Sequence, residues 1–134
     1  MSDLNDLADM RPIQVWEGIH VRRVQGDQLT LAIVELDPNA VVPEHRHPNE
    51  QNGMVITGQM DFQVGEERRV LGPGGTWRIL GDVLHQAQAG PNGAVVIDVF
   101  APTRSDWDAL PVLELAAPRW PARRATRMRN RDEG

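Results

Sequence analysis

Pro43-Glu44-His45-Arg46-His47-Pro48-Asn49-Glu50-Gln51 decides how this chain is read. Its flanks, Val41-Val42 before and Met54-Val55-Ile56-Thr57 after, are β-branched and apolar, the composition of strands. Strand side chains alternate between faces, so two histidines one residue apart project to the same side. A helix needs a spacing of three or four to do this. His45 and His47 can therefore share one ion, although an isolated pair on a solvated loop beside Pro48 would bind nothing. This pair is not isolated. Gln51 follows His47 by four residues, Gly58 follows Gln51 by seven, and a Gly72-Pro73-Gly74-Gly75 turn precedes a lone His85.

Working outward, short apolar runs recur with turn signals between them. The runs are Ile13 to Trp16, Ile19 to Val24, Leu29 to Leu36, Val41-Val42, Met54 to Thr57, Met60 to Val64, Arg69 to Leu71, Thr76 to Leu80 and Ala94 to Phe100. The breaks are rich in Gly, Pro, Asn and Asp, among them Asp37-Pro38-Asn39, Gly58-Gln59 and Gly90-Pro91-Asn92-Gly93. This pattern predicts an all-β antiparallel sandwich or barrel. There is no internal repeat.

The histidine and glycine spacings resemble the two-part cupin signature: HxH, three or four residues, Glu, six residues, Gly, then a PG-containing turn and a final His. The resemblance runs from about Leu29 to Trp107 and implies a single-domain cupin jelly-roll β-barrel. The expected organisation is a flexible N-terminal segment over 1–12, a cupin domain over 13–117, and an Arg/Pro-rich tail over 118–134. Asp106 to Leu115 is expected to form a short helix or extended arm. Single cupins often pair through their sheets, so a homodimer is expected, with Ile13 to Trp16 available to a partner's edge.

Length and composition bound the rest. A chain of 134 residues with 25% charged residues fits one soluble globular domain. No apolar run approaches the roughly 18 residues of a membrane span, and Met1 to Pro12 does not read as a signal peptide, so no membrane partner and a cytoplasmic location are expected. With no cysteine, any metal must be held by imidazole, amide or carboxylate groups. All 14 basic residues are arginine, which excludes Schiff-base chemistry at a lysine. Six of them (Arg119, Arg123, Arg124, Arg127, Arg129 and Arg131) lie in the last 16 residues. Such a cluster can be a nucleic-acid arm, a frayed tail, or a segment folded back on the acidic body. The negative body favours the latter two, so no nucleic-acid partner is expected.

The cupin ligand set is normally His, His, Glu and His. In register, the third position falls on Gln51, giving His45, His47, Gln51 and His85 as the implied ligands of a divalent metal ion: zinc, nickel, iron or manganese. Glu50 is the rival for the third place, but it is one residue out of step and faces the other side of a strand. Oxygen-activating centres usually include an anionic ligand, so an all-neutral set tilts toward non-redox chemistry.

A second cluster closes the domain: Asp98-Val99-Phe100-Ala101-Pro102-Thr103-Arg104-Ser105-Asp106-Trp107. Alternation puts Asp98 and Phe100 on one strand face. Taken singly, Asp98 reads as a strand-end acid and Arg104 as a surface cation. Together, HxHPxEQxG and DVFxPxRxDW resemble the KdgF-like pectin- and alginate-degradation cupins, which open 4,5-unsaturated monouronates to linear keto sugars. The resemblance implies functional roles for Asp98, Phe100 and Arg104 and a small anionic substrate. Four positions depart from the usual pattern: Gly75 replaces the acid after the PG turn, Leu80 and Leu84 replace prolines, and Ala89 stands where the closing Asn is usual. The alternatives are a polyketide or secondary-metabolite cyclase or isomerase with a wide tryptophan-lined cavity, a non-catalytic binding cupin with a closed site, and a cupin dioxygenase.

Overall fold

The computed structural model describes residues 2–122. Eight strands follow in order: β1 Ile13–Trp16, β2 Ile19–Gln25, β3 Thr30–Leu36, β4 Val41–His45, β5 Glu50–Val64, β6 Glu67–Leu71, β7 Thr76–Ile79 and β8 His85–Ala101. Short 3-10 turns at Leu7–Asp9 and Ser105–Ala109 flank them, the second overlapping the start of the stretch read as a helix or arm. Every pairing is antiparallel. The fold is the single-domain jelly roll that the strand pattern and the motif both implied.

Two long strands organise it. The first half of β5 pairs with the second half of β8 and with β7, while its second half pairs with the first half of β8 and with β6. β3 and β4 take opposite halves of β8, along Ala94 to Phe100 and along His85 to Gln88. β5 and β8 thus bend from one leaf of the sandwich into the other. The bends lie at Gly58-Gln59 and Gly90 to Gly93, which the sequence read as breaks between separate strands. They are glycine kinks within continuous strands, because the partner strand bends with them. Gly58 has φ +84°, and a Cβ there would lie 2.2 Å from the Gly93 carbonyl oxygen. Only glycine satisfies both demands.

The core fills the space between the leaves. Ile19, Val21, Val34 and Leu36 face inward from β2 and β3, and Met60 and Phe62 from β5, while Ala87 and Val96 face inward from the two halves of β8. At the start of β8, buried positions 85, 87 and 89 alternate with exposed Gln86 and Gln88, the period-two pattern of a half-buried sheet, while β3 is buried on both faces.

The ends of the chain are tied to the outside of this sandwich. Arg22, 2% exposed, donates from Nη1 to Glu35 (2.8 Å), from Nε to the Met10 carbonyl (3.1 Å) and from Nη2 to the Ala116 carbonyl (2.7 Å). One guanidinium therefore anchors both the leading and the trailing segment, and its burial is compensated by an acceptor at each of its three nitrogens. The edge of β1 that the sequence offered to a partner is taken by the chain's own Pro111 to Leu113, through Gln14 N–H to Pro111 O and the Ile13–Val112 bridge. Arg119 lies back on the acidic body, contacting Glu35, the Leu36 carbonyl and Asp37. The other five tail arginines lie outside the described residues.

Gly58→Ala is expected to cost roughly 2–4 kcal/mol, since it combines a disfavoured φ with a backbone collision. Urea unfolding should show a lower midpoint with an unchanged m-value.

Candidate metal centre

β4, the loop after it and β8 bring three histidines together, with His47 in the loop rather than on the strand that alternation assigned to both His45 and His47. His45 and His85 are direct cross-strand partners, and His47 follows two residues after His45. Ring centroids lie 4.2 Å apart for His45 and His85, 4.9 Å for His47 and His85, and 5.4 Å for His45 and His47. One nitrogen from each can be chosen so that all lie within 4.8 Å of one another.

Their orientation is set by the backbone. Nδ1 of His45 contacts the Pro43 carbonyl (2.7 Å), Nδ1 of His47 the Asn49 carbonyl (3.0 Å) and Nδ1 of His85 the Val83 carbonyl (2.8 Å). A carbonyl oxygen only accepts, so each Nδ1 carries the proton and each Nε2 presents a lone pair. His85 Nε2 is fully enclosed and has no hydrogen-bond partner. An orphaned buried acceptor of this kind calls for a ligand. Burial also lowers all three imidazole pKa values, with the Arg104 charge adding to the effect, and His85 falls to about 4. At neutral pH all three are uncharged, the state in which imidazole binds metal.

Gln51 completes the arrangement. It is buried, whereas Glu50 is exposed, so the period-two reading of this pair holds at the level of burial. The Gln51 amide donates from Nε2 to Asp98 Oδ1 (3.0 Å), which turns Oε1 toward His47 Nε2 at 3.1 Å. With His47 protonated on Nδ1, two lone pairs face each other there. A cation between them resolves the repulsion. Three neutral imidazoles and an amide oxygen fit a first-row divalent ion.

The rest of the second cluster lines the same cavity. Asp98 is 6% exposed, and burial pushes its carboxyl up to about 6 against the opposing hydrogen bonds from Gln51 and Trp77 and the Arg104 charge. Arg104 is not a surface cation. It is 8% exposed, with its guanidinium carbon 4.8 Å from the Phe100 ring centroid and 4.3 Å from that of Trp107. Its Nε and Nη2 already grip both oxygens of Asp106 (3.1 and 3.0 Å), leaving Nη1 without a protein partner among the described residues. Phe100 also meets His47 edge-on, with centroids 5.8 Å apart. Asn49, buried, donates to the Pro102 and Thr103 carbonyls and so fastens the histidine loop to the Arg104 loop.

The cavity enclosed among these side chains is small, ≈ 60 Å³, less than the few hundred Å³ (roughly 300 or more) usual for small-molecule sites. Away from the polar cluster its floor is apolar, and Trp16, Trp77 and Trp107 line it. Trp16 tilts over His45 with centroids 5.0 Å apart. Position in the sequence could not sort the tryptophans. Nor did Asn49 stand out, since its partners lie more than 50 residues away.

The cupin domain family profile matches residues 32–100, just over half of the chain and the span that carries all three histidines. The chain belongs to the cupin family. Within that family it is similar to KdgF proteins. The pectin degradation protein KdgF of Dickeya dadantii is 27% identical over 82 residues, covering 60% of this chain and 74% of that protein. The solved structure of KdgF from Halomonas sp. superposes with a TM-score of 0.73 at 27% identity, over 79% of this cupin and 98% of that chain. An RmlC-like cupin from Shewanella frigidimarina gives a TM-score of 0.75 at 22% identity, over 80% and 96% of the two chains.

Two substitutions separate the donors. His85→Ala should abolish stoichiometric binding of a divalent cation in an isothermal titration. Gln51→Glu should retain the cation, because a carboxylate also ligates. It would, however, replace the N–H facing Asp98 Oδ1 with a second acid, so a shared proton should appear in difference infrared spectra.

Proposed function

We propose that this cupin is a metal-dependent, non-redox enzyme that opens the ring of a 4,5-unsaturated uronate or a related sugar acid. One observation carries the reading: Asp98 and Arg104, an acid and a fixed cation, line the same cavity as His45 and His85, two members of the histidine cluster. The proposed metal ligands are His45, His47, Gln51 and His85. A bound divalent cation supplies Lewis acidity toward a sugar oxygen.

The chain's own residues account for the remaining requirements. In the ring opening, the anomeric hydroxyl loses a proton, the bond from C1 to the ring oxygen breaks, C4 gains a proton and C5 becomes a ketone. The net change is an isomerisation that needs one group able to hold and release a proton. Asp98, with its carboxyl raised to about 6, is suited to that task near neutral pH. Arg104 retains an unpaired Nη1 beside its fork on Asp106, a donor for the substrate carboxylate. Phe100 and Trp107 hold that guanidinium in place and keep water from it.

A second reading rests on the cavity wall. Three tryptophans and an apolar floor also suit a planar aromatic substrate, the polyketide-type cyclisation or isomerisation.

The deciding assay incubates the metal-loaded protein with 4,5-unsaturated galacturonate and follows the ultraviolet absorbance of its conjugated double bond. Loss of the band faster than in a chelated control supports ring opening. A stable band sends the search to aromatic substrates. Asp98→Ala should lower kcat roughly 10²–10⁴-fold with metal content unchanged. Loss of the metal instead would make Asp98 part of the metal site. Arg104→Lys should act mainly on KM, since an ammonium cannot fork onto Asp106 and a carboxylate together.

A further inference from the structure

A row of direct cross-strand partners crosses the inner face of the sheet: Ala32 on β3, Asp98 on β8, Gly53 on β5 and Trp77 on β7. Asp98 therefore stands between a one-carbon side chain and none at all. Trp77 fills the vacancy. Its Nε1 donates to Asp98 Oδ1 at 2.7 Å across the bare backbone of Gly53. A Cβ on residue 53 would fall 2.2 Å from that oxygen and 2.3 Å from that nitrogen, in the middle of the hydrogen bond. The indole is itself fixed, 6% exposed and stacked on Phe62 with centroids 4.4 Å apart and planes at 23°.

Gln51 Nε2 donates to the same oxygen at 3.0 Å, so both fixed donors converge on Oδ1. Neither can accept a proton in exchange, because an indole N–H and an amide NH₂ only donate. Oδ2 has no protein partner among the described residues, yet it is not sealed, since His85 Nε2 is the one fully enclosed side-chain nitrogen or oxygen there without a partner. We propose that Trp77, acting through the gap at Gly53, is a positioning residue that locks the Asp98 carboxyl so that its proton is taken and returned at Oδ2, on the cavity side. Gln51 cannot serve this end alone, because its other atom is committed to the histidine cluster. Trp77 has no such second task, and its removal probes orientation without touching a proposed ligand.

The inference rests on the ring-opening reading, so its test has one arm that needs turnover and one that does not. Trp77→Phe keeps an aromatic ring against Phe62 and deletes the N–H. Metal stoichiometry and KM for 4,5-unsaturated galacturonate should stay within about twofold, while kcat falls roughly 10- to 100-fold, the size of a misplaced reacting group. Gly53→Ala should reproduce the split by wedging the pair apart. The second arm is proton NMR of the metal-loaded protein. The Trp77 indole N–H resonance, assigned by its disappearance in Trp77→Phe, should resist solvent exchange and shift in Asp98→Asn. A kcat for Trp77→Phe within about twofold of the unsubstituted enzyme overturns the proposal. So does an indole N–H that exchanges freely or ignores Asp98→Asn. If the unsubstituted protein does not consume the uronate, the ring-opening reading fails, and the NMR arm alone decides whether Trp77 holds Asp98.

Discussion

Three backbone carbonyls hold three imidazoles by Nδ1, and the rest of the site depends on that constraint. Each carbonyl belongs to a residue two positions from its histidine, so the tautomer is fixed locally, by the same short stretch that supplies the ring. Three Nε2 lone pairs then converge in a partly dry space where a cationic histidine is disfavoured. Charge must come from elsewhere. The unanswered lone pair at His85 and the opposed pair between His47 and Gln51 both register that demand.

The fold delivers these groups because β5 and β8 run through both leaves. β8 begins at His85 in one leaf and ends at Ala101 beyond the bend, so a single strand supplies both His85 and Asp98 to the cavity. β5 adds Gln51 and Gly53 from the opposite direction. Gln51 then links the two functions, with its oxygen toward His47 and its nitrogen toward Asp98. That double commitment gives a physical reason for an amide where cupins commonly carry a carboxylate: a glutamate there would confront Asp98 with a second acid.

Much of this was legible in the sequence, and the reason is locality. Gln51 rather than Glu50, and Asp98 with Phe100, follow from the period-two alternation of a strand, which needs no knowledge of neighbours, whereas His47 lies beyond the end of β4 and joins His45 through the loop that follows. His85 to Ala89 was not read as strand. Gln and Ala carry little β preference, although the buried positions 85, 87 and 89 alternate with exposed Gln86 and Gln88. The glycines at 58 and 93 read as breaks, because a kink inside a strand and a turn between strands have the same local composition. The role of Trp77 was invisible. It depends on the register that sets Gly53 between Trp77 and Asp98, a relation among three strands. Arg104 was singled out, but its grip on Asp106 and its aromatic bed appear only in three dimensions.

X-ray absorption at the metal edge of the cation-loaded protein tests the central claim most directly. Three backbone-oriented imidazoles should produce a first shell of nitrogen and oxygen at roughly 2.0–2.2 Å, with the multiple-scattering pattern of three histidine rings beyond it. Fewer than three imidazole contributions would contradict the account, because the convergence of His45, His47 and His85 would then not be the feature that holds the ion.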